Sequence, residues 1–212
     1  INLMLISIFV QALKLQQCLV KWQHESPNPF PILLMLQHDP VYTVGLRSSV
    51  YTEQEESNLL AIGADFVRTN RGGLITFHGP GQLVVYPIFN LGAMKLGVRE
   101  YVYQLEETII NLCERYKLHG ERSPHTGVWI ANDKICAMGI NTQRGITSHG
   151  LALNCNTDLK WFDRIVPCGI HGRGVTSLSR ELSRDVTVEN TLSQFLRHFA
   201  PVFGSDSLDF ND

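Results

Sequence analysis

The 212-residue sequence has little charge and no excess of either sign. Charged residues make up 18%, with 18 Lys and Arg against 20 Asp and Glu. Soluble domains carry about 25%. A net charge of −2 gives no overall field that favours nucleic acid or an anionic membrane, which leaves only local basic patches. No apolar run approaches the roughly 20 residues a membrane-spanning helix needs, since Ile1–Val10 is only about ten residues long. That opening has neither a positive n-region nor a small-residue cleavage site, so a secretory signal is not expected, and an Arg-rich transit peptide is also absent. The chain starts at Ile1 rather than Met, from which we expect a fragment or a processed form. No repeat, low-complexity tract or charge run divides it, and a 44% apolar content excludes a disordered chain. At this length a single domain, residues 1–212, is expected, ending in a loose acidic tail over 204–212.

Cysteine is present but unpaired by pattern. The five, Cys18, Cys113, Cys136, Cys155 and Cys168, are odd in number and contain no CxxC. A disulfide framework or zinc finger does not fit, and free thiols suit a reducing compartment. The default for each is a small core hydrophobe. A zinc site from Cys136, His149, Cys155 and Cys168 matches no known ligand spacing, so no metal is expected.

Helix and strand patterns mix. Helical spacing runs over about 10–24, with Gln11, Lys14 and Gln17 on the polar face. Thr52-Glu53-Gln54-Glu55 reads as a capping box, and Gly63 ends that helix. The clearest amphipathic helix covers about 98–117, with Val98, Val102, Leu105, Ile109, Leu112 and Tyr116 on one face. Thr187 caps a last helix reaching about His198. Ile32–Gln37 is a continuous apolar run, which suggests a buried central strand. Other strands are expected at Val41–Val44, Ala64–Thr69, Leu74–Phe77 and Leu83–Tyr86. Thr126–Ala131 and Lys134–Ile140 form a hairpin turning at Asn132-Asp133, and Ile146–Asn154 adds a third strand. Without strict alternation of strand and helix, the fold class is α+β with a mixed sheet flanked by helices.

Four segments carry chemistry. Arg71 to Gln82 packs four glycines, a proline, an arginine and a histidine into twelve residues. Such loops let backbone approach a ligand and can offer N–H groups to an oxyanion, although two tight turns around a short strand would look the same. The spacing matches neither a P-loop nor a dinucleotide fingerprint. Cys168 stands between Pro167 and Gly169, outside any apolar periodicity, which makes it the best-placed nucleophile of the five or else a half-buried turn residue. Lys134 leaves the hairpin turn either into solvent or against apolar surface, where desolvation favours an amine able to accept a proton. His149-Gly150 interrupts a strand pattern, which suggests close approach to a ligand or to another strand.

Taken in order, these segments resemble one family. The motif Arg71-Gly72-Gly73-x-x-Thr76-Phe77-His78-x-Pro80-Gly81-Gln82 through Tyr86-Pro87 is similar to that of the lipoyl(octanoyl) transferases. So are His38-Asp39-Pro40-Val41-Tyr42-Thr43-Val44-Gly45, Lys134 through Gly139, His149 through Asn154, and Pro167-Cys168-Gly169. The resemblance covers about 36–200, is strongest to the animal mitochondrial form, and is poor over 1–25. It implies the fold of the lipoate and biotin protein ligases. It also implies octanoyl transfer from octanoyl-acyl carrier protein to a lysine of lipoyl domains, with no cofactor. The lipoyl domains implied are those of 2-oxoacid dehydrogenase complexes and the glycine cleavage H protein, in the mitochondrial matrix. By the same resemblance Cys168 accepts the acyl group and Lys134 is its partner. The acyl pocket is lined by Arg71, Gly72, Gly73, Leu74, Ile75, Thr76, Phe77 and His78, by Ala137, Met138 and Gly139, and by Gly150, Leu151 and Ala152.

Rival readings follow from the same residues. One is an ATP-dependent ligase on this fold. A second is a cysteine hydrolase pairing Cys168 with His78 or His149. A third is a non-catalytic module that binds carrier protein or lipoyl domain. Arg47, Arg68, Arg144 and Arg173 are candidates to meet an acidic carrier, or simply solvated charges.

Overall fold

A computed structural model describes residues 8–170 and 172–204; the first seven residues and the acidic tail beyond Gly204 lie outside the described residues. The chain runs α1 (Phe9–Glu25), β1 (Ile32–Leu36), β2 (Val41–Val44), α2 (Glu53–Ala61), β3 (Asp65–Arg68), β4 (Thr76–His78), β5 (Gln82–Ile88) and α3 (Val98–Arg115). It continues with β6 (Glu121–Arg122), β7 (Val128–Ile130), β8 (Asp133–Gln143), β9 (Ile146–Asn154), β10 (Gly174–Val175), α4 (Leu178–Leu182) and α5 (Val188–Val202). A large sheet has the order β1-β5-β9-β8-β7-β6, and β10 pairs parallel to β8. A smaller sheet, β3-β2-β4, pairs β2 parallel to β3 and antiparallel to β4. The architecture is α+β and mixed, as the element pattern predicts, but it is divided between two sheets.

Strand alternation sorts the core. Met35, Leu83, Val85, Leu151 and Leu153 face the helices α3 and α5, meeting Leu105, Ile109, Leu112, Phe195 and Phe199. Leu34, Leu36, Val84, Tyr86 and Ala152 face the other way, onto Ala12 of α1. This explains the unbroken apolar run of β1. Both of its faces are covered, although β1 pairs only with β5 and is an edge strand rather than the expected central one. Burying each such side chain fully contributes about 1.5–3 kcal/mol. Apart from the two faces of the large sheet, a second core cluster fills the small sheet, with Tyr42, Val44 and Phe77 against Phe162.

The capping box forms as predicted. The Thr52 hydroxyl accepts from Glu55 N–H, the Glu55 carboxylate accepts from Thr52 N–H, and Gly63 (φ 87) follows the helix. Thr187 caps α5, which runs on past His198 to Val202. In α3 the buried row begins at Tyr101, whose ring meets Phe89 and Phe203, whereas Val98 is exposed. The hairpin turns one residue earlier than its composition suggests. Ile130 pairs with Asp133, leaving Ala131 (φ 51) and Asn132 as the turn, because cross-strand register sets the corner. Cys113, Cys136 and Cys155 are buried as expected, but Cys18 lies on the exposed side of α1.

Candidate active site

Cys168 lies in a single 3-10 turn, Pro167–Gly169, with φ 56 and ψ 15. A left-handed conformation is uncommon for a residue with a side chain and persists only where surrounding bonds impose it. Here Pro167 presets the entry, and Cys168 N–H donates to the Ile75 carbonyl at 2.9 Å. Gly169 is left-handed as well (φ 69), and a Cβ there would stand 2.4 Å from Leu74 Cδ1. The nucleophile candidate is therefore half-buried and fixed to the strand that follows the Gly-rich loop.

Lys134 is buried, at 6% exposure, and this rejects the solvated alternative. Its Nζ stands 4.7 Å from the centroid of the Trp129 ring, a cation–π contact, and donates to the Thr126 carbonyl at 2.9 Å. The same Nζ lies 3.7 Å from Cys168 Sγ, within hydrogen-bonding range for sulfur. Topology produces this meeting. Strand β9 pairs with β8 only from Cys136 onward, and β10 takes its place beside Asp133 and Lys134. Thr176 N–H then donates to the Lys134 carbonyl at 3.0 Å. The loop holding Cys168 enters β10 and is thereby laid over the lysine. The guanidinium of Arg173, one of the surface cations noted above, stacks on Trp129 at 4.9 Å, and Arg68 pairs with Glu56 at 2.5 Å.

Arg71 anchors the Gly-rich loop. Its Nη2 donates to Thr43 O and Thr43 Oγ1 at 2.6 and 2.8 Å, and its Nη1 to the carbonyls of Gly72 and Leu74. The loop crosses so close to Gly45 that a Cβ there would lie 2.3 Å from Gly73 O. Burial pushes the guanidinium below its usual range, a shift opposed by Cys168.

Between this loop, α1 and the large sheet runs a cleft. Of the residues the resemblance assigns to the acyl pocket, Arg71, Gly73, Thr76, His78, Ala137, Met138, Gly139, Gly150, Leu151 and Ala152 line it together with Cys168. Gly72, Leu74, Ile75 and Phe77 do not. Period-2 alternation in β4 points Thr76 and His78 to the cleft and sends Phe77 the other way, onto Tyr42 and Phe162. Ile75 joins that second cluster, Leu74 packs against Gly169, and Gly72 N–H is tied to Ile140 O. Phe9, Tyr86 and His149 line the cleft without having been assigned to it. Tyr86 falls inside the motif and His149 was noticed only as an interruption of a strand. Phe9 lies in the atypical front of the chain, where no motif points to it. Its ring stacks on His78 with centroids 6.0 Å apart. A second, small space, lined by Gln82, Lys134 and Asn154 among others, shares Thr76, Ala137, Ala152 and Cys168 with the first. Cys168 therefore stands where the two spaces join.

The His149-Gly150 interruption reflects a neighbouring strand. A Cβ on Gly150 would lie 2.2 Å from Val85 O and 2.8 Å from Pro87 Cδ. His149 turns left-handed (φ 55) opposite the proline, which has no N–H to offer the ladder.

The imidazoles of the cleft are held neutral. Burial lowers His78 well below its usual range, reinforced by His38 and Arg71; burial and Arg71 lower His149 to about 4. Gln82 Nε2 donates to Phe77 O and Asn154 Oδ1, so its Oε1 accepts from His78 Nδ1, which carries the proton. His149 Nε2 bonds Asn70 Oδ1 at 2.9 Å. Among the described residues no three His, Cys, Asp or Glu side chains converge on a metal position. Burial raises the thiols of Cys136 and Cys155, the latter to about 12. Chemically the site offers one accessible thiol with a lysine amine at hydrogen-bonding distance, at one wall of a mostly apolar cleft. That arrangement suits covalent acyl transfer.

Comparisons with known proteins show the family and the fold. The model for the lipoyl protein ligase A/B catalytic domain matches residues 9–200. The mitochondrial octanoyl-(acyl-carrier-protein):protein N-octanoyltransferase LIPT2 of Danio rerio is 56% identical over 193 residues, covering 91% of this chain and 86% of its own. The Homo sapiens protein of that name is 50% identical over 175 residues, covering 81% and 75%. An octanoyltransferase of Rubrobacter xylanophilus is 44% identical over 200 residues, covering 92% and 89%. Among solved structures, a lipoate-protein ligase A bound with ATP superposes with a TM-score of 0.75 at 15% identity, over 96% of this chain and 85% of that one. The biotin protein ligase of Aquifex aeolicus with biotin and ATP gives 0.58 at 13% identity, over 96% and 69%. The fold expected from the motifs is thus the observed one, and the chain belongs to the lipoyl protein ligase A/B catalytic-domain family, among its octanoyltransferases.

Proposed function

We propose that this chain, acting as one catalytic domain, transfers an octanoyl group from octanoyl-acyl carrier protein to a lysine of a lipoyl domain through a thioester on Cys168. The observation that carries the reading is the 3.7 Å approach of Lys134 Nζ to Cys168 Sγ at the wall of the cleft. Lys134 takes the thiol proton, and the ammonium holds the thiolate. The thiolate attacks the donor carbonyl, the carrier's sulfur leaves, and Lys134 returns a proton to it. In the second half-reaction the acceptor amine attacks the acyl-cysteine, the Cys168 sulfur leaves, and the pair accepts the amine's proton. One thioester is exchanged for another and then for a more stable amide, so no ATP is consumed. A backbone N–H facing the oxyanion stabilises it by roughly 3–4 kcal/mol.

The acceptors are the lipoyl domains of 2-oxoacid dehydrogenase complexes and the glycine cleavage H protein, and the place is the mitochondrial matrix. No described helix is long and apolar enough to cross a membrane. The test is intact-mass analysis after mixing with octanoyl-acyl carrier protein, without ATP. The expected result is one octanoyl adduct that disappears in Cys168→Ala. An unimpaired transfer by Cys168→Ala would overturn the mechanism. An ATP requirement would favour the ligase reading, and release of free octanoate the hydrolase.

A further inference from the structure

Glu106 is a buried carboxylate on α3 that no sequence motif singles out. Its Oε1 accepts the Gly127 N–H at 2.9 Å, and its Oε2 accepts Arg122 Nε at 3.2 Å. The Gly127 N–H and the Thr126 carbonyl belong to one planar peptide group, and in a trans peptide they point in opposite directions. With its N–H held by Glu106, that group presents its carbonyl on the far side, where Lys134 Nζ donates to it at 2.9 Å. The next contact of Nζ is Cys168 Sγ, at 3.7 Å. The line Glu106, peptide 126–127, Lys134, Cys168 is unbroken. It also requires glycine at 127. That residue has φ 120, and a Cβ would stand 2.5 Å from Cys136 O and 3.4 Å from Lys134 Cε.

We propose that Glu106 is a positioning residue for Lys134, acting through this single peptide group. A carboxylate on the N–H makes the charge-assisted bond of the set and polarises the peptide, so that the Thr126 oxygen holds the lysine more strongly. It also stops the peptide from turning, which would release Nζ from its aim at the sulfur. The inference rests on the role given to Lys134 above.

A double-mutant cycle on the full chain tests it, read as the single-turnover rate of Cys168 acylation by octanoyl-acyl carrier protein. Glu106→Ala lowers the rate at saturating donor by about tenfold, the scale of coupling between residues in one network. The donor concentration at half-saturation stays unchanged. Glu106→Gln keeps an acceptor for Gly127 and recovers part of the loss. In a Lys134→Ala background, Glu106→Ala costs less than about twofold more. An equal loss in both backgrounds means a purely structural role and overturns the inference, while leaving Lys134 in place. A wild-type rate for Lys134→Ala overturns the role of the lysine and this inference with it. Should Glu106→Ala not fold, the cycle is run with Glu106→Gln, and the same comparison decides.

Discussion

Lys134 Nζ and Cys168 Sγ are 3.7 Å apart across 34 residues of chain, because β10 docks parallel to β8 where β9 has ended. The lysine reaches this point from a hairpin and the cysteine from a strained turn. Neither segment contains the other's position in its own geometry. In the proposed mechanism the pair is the chemical centre, so its removal has the plainest consequences.

Lys134→Ala is expected to slow acylation of Cys168 at neutral pH by roughly 10²–10⁴, the range for loss of a positioned base. An unassisted thiol ionises near pH 8.5, so part of the rate returns as the assay is raised toward pH 9. Stopped-flow acylation across pH is the measurement. A wild-type rate at pH 7 rejects the base.

Arg71→Met leaves two buried acceptors, Thr43 O and Thr43 Oγ1, without the guanidinium that donates to them. Urea unfolding is expected to show a loss of about 2–4 kcal/mol, the scale of stranding two buried acceptors. Because Arg71 helps depress His149, the imidazole should also titrate above its present value of about 4 by NMR. An unmoved titration would separate Arg71 from the electrostatics of the cleft.

Stability should fall on the acid side. His149 takes a proton near 6.5 when unfolded but only near 4 when folded. Its contribution is complete above about pH 6.5 and is lost progressively as pH drops toward 4, by about 3 kcal/mol in all. His78, lowered in the same direction, adds to this. Urea midpoints between pH 6.5 and 5, where most carboxylates remain ionised, should decline in the wild type and decline less in His149→Gln. Equal slopes would contradict the assignment.

Gly150→Ala places a methyl 2.2 Å from Val85 O, so β9 must move away from β5. Backbone on one side and Pro87 on the other leave no flexible group to yield. A loss of at least about 2 kcal/mol is expected, on the scale of overpacking, with a lowered melting temperature as the readout. An unchanged melting temperature would show that the strands yield freely.

Phe9→Ala removes a buried ring from the cleft wall and should cost about 3–5 kcal/mol. The space opened beside His78 should raise acylation by decanoyl relative to octanoyl carrier protein. A donor preference identical to wild type would show that this ring does not limit the acyl chain.

The sequence by itself determined a good deal. Apolar periodicity is a local property, so it located α1, α3, α5 and the β7-β8-β9 meander, and the capping box marked α2. The setting of Cys168 between proline and glycine distinguished it from the three thiols that packing buried, and the five motifs identified the family. Tertiary structure decided the rest, because burial and contact depend on partners distant in sequence. Only pairing made β1 an edge and moved the hairpin corner to Ala131-Asn132. Only the second core cluster turned Phe77 and Ile75 away from the cleft. Only the packing of α1 brought Phe9 onto His78 and Gln16 onto the kinked backbone at His149. Lys134 could equally have been solvated or buried as read from its neighbours in sequence. Trp129, the Thr126 carbonyl and β10 together closed the first possibility, since a charged side chain is buried only where the fold supplies it with partners.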